Sequence, residues 1–232
     1  MVSETLTLSR MLAAGIAWPP DDTAESVRDT DLHQKTITNV RLGVNECAVI
    51  ERSAEEPVPW QALSQIVLLG CRRPDGAEYR TMPDVFVYRR PIDVNRGSLA
   101  LALDGPPALI FEVLSESTYS WDLDLERGKG YSYARAGVRE YMTIDPSRTI
   151  LPEGIRAWRL ADGIYQPWQP EGDRRWRSEE IGISISLEGA MATVHDAKGR
   201  RQFCEGEIAR ELARKDTELA ELRRLLDEAR GK

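Results

Sequence analysis

The chain has little of what builds a structural metal module. Of its 232 residues only three are cysteine and two are histidine, His33 and His195. Cys47, Cys71 and Cys204 lie far apart and none belongs to a CxxC pair, which argues against a zinc-held or disulfide-stapled fold. Scattered single thiols suit a reducing compartment, so a cytoplasmic location is expected. Long apolar runs are missing too. None approaches the ~20 residues that cross a bilayer. The N-terminal stretch, broken by Glu4 and Arg10, lacks the charged-then-apolar order of an export signal. No membrane partner is expected. Excess positive charge is also absent: the net charge is -7 and the pI about 5.1. That excludes a protein coated in basic residues, although a local basic groove remains compatible with it.

What is present suits a folded domain with an appendage. The chain is 41% hydrophobic and 30% charged, enough apolar material for a sizeable core. Residues 1–30 read as an N-terminal extension, 31–196 as the main domain and 197–232 as a C-terminal helix. In the domain, Asp31 heads a helix over 32–50, with an apolar stripe of Ile37, Val40, Val44 and Cys47/Ala48. Strands are expected over 65–71, 84–88, 108–114 and 139–144, and over 155–160 and 164–168 about an Ala161-Asp162-Gly163 turn. The alternation of Ile181, Ile183, Ile185 and Leu187 predicts a strand with one buried face. A second main helix is expected over 122–136, capped by Gly137. Arg89 to Pro107 reads as a long connection. This mixed order predicts an α/β (α+β) fold with a mixed sheet flanked by helices.

From Glu205 onward Ile208, Leu212, Lys215, Leu219, Leu222, Leu226 and Ala229 step by 4, 3, 4, 3, 4 and 3. That is a heptad seam with one lysine in it, and its regular spacing predicts a coiled coil that joins two copies of the chain; the alternative is a helix folded back on its own domain.

One feature of the domain points to chemistry. Asp84 heads the Val-Phe-Val-Tyr strand, and Glu112 sits alone within Leu109-Ile-Phe-Glu-Val-Leu114. A carboxylate inside an apolar strand loses its hydration, so it needs a partner, a metal or a proton. If the two strands are neighbours, Asp84 and Glu112 can supply hard oxygen ligands to Mg2+ or Mn2+. Lys129 could then bring an ammonium to a phosphate, with Tyr133 one turn further on the same helix face. Two acids and a lysine form a minimal set for metal-assisted phosphodiester hydrolysis. Read singly, the same residues have plainer meanings: a turn-capping aspartate, a structural salt bridge, a solvated lysine. His33 reads as a capping or hydrogen-bonding group, and the tryptophans as packing.

The order Pro83-Asp84, Phe111-Glu112-Val113-Leu114-Ser115-Glu116-Ser117, Asp122-Leu123-Asp124, Lys129, Tyr133 to Tyr141 and Asp145-Pro146 resembles the Uma-two family. That family lies within the PD-(D/E)XK, restriction-endonuclease-like superfamily. The resemblance implies a metal-dependent endonuclease acting on DNA, with Asp84 and Glu112 as metal ligands. In the superfamily's simple pattern a lysine stands two residues after the acid, where this chain has Leu114. The resemblance therefore assigns the lysine role to Lys129. It also implies an aspartate about one turn before that lysine, which leaves Asp122 and Asp124 both open. The superfamily often adds an acid from the first core helix, and Glu46 is the candidate. The alternative is a nuclease-fold module that no longer cuts and acts as a nucleic-acid-binding or assembly protein through its coiled coil.

Overall fold

The computed structural model describes residues 31–52, 58–93, 95–204 and 206–230. The expected N-terminal extension lies outside them. Helix α1, Asp31–Glu51, forms where the apolar stripe predicts it. Ile37, Val40, Val44, Cys47 and Ala48 are all buried. Asp31 stands in its first turn and pairs with Lys35 at 2.5 Å.

The stripe packs on a six-stranded sheet built from β1 (Gln61–Leu63), β4 (Val85–Tyr88), β6 (Leu109–Val113), β7 (Glu140–Ile144), β8 (Ile155–Ala161) and β9 (Ile164–Trp168). These strands neighbour one another in that order. Only β6 and β7 run parallel. All residues of β4, β6 and β7 are buried, which explains their near-continuous apolar character. One face of the sheet joins α1 and a three-stranded sheet of β10 (Trp176–Arg177), β11 (Ser184–Glu188) and β12 (Met191–His195) in one apolar cluster. The other face carries Phe86, Ile110, Tyr141 and Trp158. It packs with Tyr133 and with a sheet of β2 (Val67–Arg72), β3 (Glu78–Thr81) and β5 (Ser98–Ala100). The result is the mixed-sheet, restriction-endonuclease-like architecture expected.

Several elements differ from the sequence reading. The connection 89–107 is not bare loop, because it holds β5 and the one-turn helix α2, Leu101–Asp104. The strand expected over 181–187 is β11, over 184–188, and Ser184 and Ser186 on its second face are buried as well. On the face that alternation assigns to solvent, Ser186 Oγ lies 3.0 Å from His195 Nε2 of the neighbouring β12.

The most consequential difference concerns the second main helix. It splits into α3, Tyr119–Asp122, and α4, Lys129–Ala136, with a turn between. The break has a local cause. Asp124 Oδ1 accepts hydrogen bonds from Glu126 and Arg127 N–H at 2.9 and 3.0 Å, closing a turn instead of a helix. Gly128 follows in extended conformation so close to the preceding turn that a Cβ there would lie 2.1 Å from the Trp121 carbonyl oxygen. Gly137 ends α4 in the left-handed conformation, as predicted, at φ 88°.

Helix α5, Glu207–Arg230, follows the domain. Its leucines stay exposed: Leu212 at 58%, Leu219 at 50%, Leu222 at 61% and Leu226 at 49%. No helix among the described residues is long and apolar enough to cross a membrane.

Candidate active site

Strand register brings the two acids together. Strands β4 and β6 are antiparallel with Val85 opposite Phe111, so one step further Asp84 stands opposite Glu112. Opposed residues share a sheet face. The contacts agree: Asp84 N–H donates to Glu112 Oε2 at 3.4 Å, and Val113 N–H donates to Asp84 Oδ2 at 2.7 Å. Each acid is held by the backbone beside the other.

Glu112 is buried, 1% exposed, among polar partners. Tyr133 donates its hydroxyl to Oε1 at 2.5 Å, and that hydroxyl also lies 2.9 Å from Thr81 Oγ1. Burial, with the Glu112 carboxylate adding to it, raises the Tyr133 phenol well above its ordinary pKa. It therefore remains a donor. Lys129 Nζ lies 3.4 Å from Glu112 Oε2 and 3.2 Å from Asp122 Oδ1.

The turn before α4 thus delivers the lysine from the first helical position, and it also settles which aspartate accompanies it. Asp122 is buried and paired with Lys129, whereas Asp124 is spent on its own turn. Tyr141 hydrogen-bonds the Asp122 carbonyl at 2.6 Å and pins the end of α3 to β7. Burial raises the Asp122 carboxyl above the usual aspartate range, while the Lys129 ammonium and the Thr118 hydroxyl pull it back. Asp122 Oδ1 has the ammonium as its electrostatic partner but accepts no well-aligned hydrogen bond.

Helix α1 contributes a different residue from the one expected. Glu46 is exposed, and the 13 residues from His33 set it about 20 Å along the helix from the site. His33, in the first turn, is buried, with Nε2 3.6 Å from Asp84 Oδ1. A histidine in an ordinary amphipathic pattern carries no signal of this role. Only the docking of α1 over the end of β4 produces it.

A second buried acid shows what a structural pair looks like in this fold. Glu140, at the start of β7, accepts from Ser178 Oγ, from Glu179 N–H at 2.8 Å and from Arg159 Nε at 3.3 Å. Every partner is a donor: Ser178 and Glu179 tie β7 to the loop before β11, and Arg159 ties it to β8. The cluster at Asp84 is different, because it gathers two opposed carboxylates, a third carboxylate, an ammonium and an imidazole. Asp84 is its open member, with its side chain 20% exposed. Among the described residues, no group of three or more His, Cys, Asp or Glu side chains is arranged to hold a metal ion.

A mixed sheet with opposed acids on its antiparallel β4–β6 pair, and a lysine supplied by α4, defines a protein of the restriction-endonuclease-like class. Within that class the chain belongs to the Uma2 family, whose model, described as "Putative restriction endonuclease", matches residues 53–189, more than half of the chain. No curated protein matches it. Asp84, Glu112, Asp122, Lys129 and Tyr133 fall inside the matched segment, whereas His33 and α5 fall outside it.

Proposed function

We propose that the protein is a Mg2+- or Mn2+-dependent endonuclease that hydrolyses DNA phosphodiester bonds. The observation that carries this reading is the opposition of Asp84 and Glu112 with Lys129 Nζ 3.4 Å from the latter. The residues fit a hard divalent cation. Mg2+ keeps several waters and needs only one or two carboxylates, so the lack of a three-ligand protein cage is compatible with it. Asp84 and Glu112 would be the ligands, and the 20% exposure of Asp84 leaves that side open to substrate. A cation held there supplies Lewis acidity to the phosphate and a bound water of lowered pKa.

The chain's own groups do the rest. The Lys129 ammonium offsets negative charge that develops on the phosphate oxygens in the transition state. Asp122 holds that ammonium in place, and Tyr133 with Thr81 fixes the orientation of Glu112. His33, with Nε2 3.6 Å from Asp84 Oδ1, adds a buried imidazole beside that acid. The reading also includes a cytoplasmic location, supported by three buried free thiols. Its working form is a homodimer joined through α5, whose leucine seam is exposed.

The test is plasmid cleavage by full-length protein with Mg2+, Mn2+ or chelator, with Glu112→Gln as control. Metal-dependent nicking that this variant loses supports the reading. Equal nicking by both proteins removes it. The second reading, a non-cutting nuclease-fold module that works by assembly or nucleic-acid binding, is favoured by one observation. Lys129 is fully engaged between Glu112 and Asp122, as in a structural network. A protein that binds DNA but leaves plasmid intact with either metal would establish it.

A further inference from the structure

The exposed seam of α5 carries information about its own partner. With Leu212, Leu219 and Leu226 at one core position of the heptad, Lys215 and Leu222 occupy the other. The flanking positions are Glu211, Glu218 and Leu225 on one side, and Asp216 and Arg223 on the other. Leu225 is itself 47% exposed and widens the apolar strip. A parallel pair would oppose Glu211 to Asp216 of the second copy twice over, which cancels the two Glu218–Arg223 attractions it also makes, and would stack two Lys215 ammoniums in one core layer. An antiparallel pair centred between Leu219 and Leu222 does neither. It faces Asp216 with Arg223 of the other copy on both sides of the symmetry axis, and packs Lys215 against Leu226. Sliding that pair by one heptad opposes Asp216 to itself and Glu218 to itself in one direction, and Arg223 to itself in the other.

We propose that α5 docks on the α5 of a second copy of this chain, antiparallel, in the register that pairs Asp216 with Arg223. This rests on the homodimer named above and adds its orientation. Four exposed leucines supply the attraction, and the charges choose among the ways of using them. Lys215 can lay its methylene stem along the seam and bring its ammonium to the edge, so the cost of a charge in the core is partly offset. The antiparallel arrangement sets the two points where α5 leaves its domain about 40 Å apart, at 1.5 Å per residue. That is close to one turn of B-form DNA, about 34–36 Å. Two domains could then engage one duplex on the same side, a geometry that a parallel pair, with both domains at one end, does not offer.

One substitution separates the arrangements by sign. In the antiparallel pair Asp216→Arg turns two attractions into two repulsions. Light scattering of full-length protein over about 1–100 µM should show the dimer weakened about tenfold, and Asp216→Arg/Arg223→Asp should restore it. In a parallel pair the same Asp216→Arg relieves two repulsions, and the dimer tightens. Spin labels give an independent reading at two outward-facing positions, Arg210→Cys and Thr217→Cys. Antiparallel helices separate the paired labels along the axis by about 32 Å and about 10 Å respectively, whereas parallel helices give equal distances at both. A tighter Asp216→Arg dimer, or equal label distances, overturns the orientation and leaves the homodimer standing. A wild-type monomer at ~100 µM overturns both. Neither outcome bears on DNA cleavage, which the plasmid assay decides separately.

Discussion

Val113 N–H donates to Asp84 Oδ2 at 2.7 Å, so the backbone next to one acid of the site fixes the side chain of the other. A carboxylate held by an N–H is positioned without losing its charge. Glu112 is treated in a complementary way: its two oxygens are divided between Tyr133 and Lys129. The two acids should therefore respond differently to neutralisation.

Asp84→Asn and Glu112→Gln should each reduce cleavage to background while the protein stays folded. Both keep volume and remove the charge that a cation needs. In Asp84→Asn the introduced amide oxygen can still accept from the Val113 N–H, so this variant should melt close to wild type. Glu112→Gln gives up the carboxylate of a buried charged pair and should lose about 1–3 kcal/mol, cushioned because Lys129 keeps Asp122. Urea denaturation beside the plasmid assay checks both halves. Wild-type cleavage by either variant would remove these acids from the site.

Lys129→Met should slow the chemical step more than it weakens metal binding, because the ammonium acts on transition-state charge. Single-turnover rates compared with Mn2+ titration separate the two effects. The same variant makes a pH prediction. Asp122 is already pushed up by burial and held down by this ammonium, so loss of the lysine raises it further. A carboxyl whose folded pKa lies above its unfolded one favours folding below the unfolded pKa, and loses that contribution as pH rises through the folded value. The variant should therefore match wild type most nearly near pH 4 and fall behind as pH rises, by about 3–5 kcal/mol once the Asp122 carboxylate is ionised without its ammonium partner. A stability difference that stays constant from pH 4 to 8 would contradict this.

Tyr133→Phe removes a hydroxyl bonded to both Glu112 and Thr81. Two buried polar atoms lose their partner, which should cost about 1–3 kcal/mol. With its orientation loosened, Glu112 should bind metal or turn over about 10–100-fold less well. Calorimetric Mn2+ titration of the variant reads the binding part directly. Affinity and rate equal to wild type would reduce Tyr133 to a packing residue.

Glu207 anchors the start of α5. It takes two hydrogen bonds from Arg201, at 2.8 and 3.0 Å, and one from the Cys204 N–H at 2.8 Å. The Arg201 guanidinium, with that N–H, pulls its carboxyl down to about 2 from an ordinary 4.5. A depressed folded pKa gives stability that is present above pH 4.5 and lost as pH falls towards 2. Amide exchange in the first turn of α5 should therefore speed up below about pH 4 in wild type, and be fast at all pH values in Glu207→Gln. Equal protection in the two proteins at pH 7 would show that the joint does not depend on this residue.

Much of the fold could be read from local pattern. Alternation and apolar runs located β4, β6, β7, β8 and β9, the stripe from Ile37 to Ala48 located α1, and the 4-3 steps located α5. Short strands escaped detection. Gln61–Leu63 and Glu78–Thr81 hold three and four residues, too few for a period to declare itself.

The sequence by itself determined which groups were available: an acid at the head of one strand, an acid alone inside another, a lysine after a glycine. These follow from local chemistry, because a charge in an apolar run needs a partner wherever the chain takes it. Which partner it meets was decided only by tertiary structure. Pairing of β4 with β6 set Asp84 opposite Glu112, and the turn at Gly128 selected Asp122 over Asp124. The docking of α1 brought His33 rather than Glu46 to the site. Glu140 makes the point from the other side: a buried acid like Glu112, it meets donors alone and serves as a tie. The distance between residues remote in sequence depends on how whole elements pack, and no local pattern encodes it.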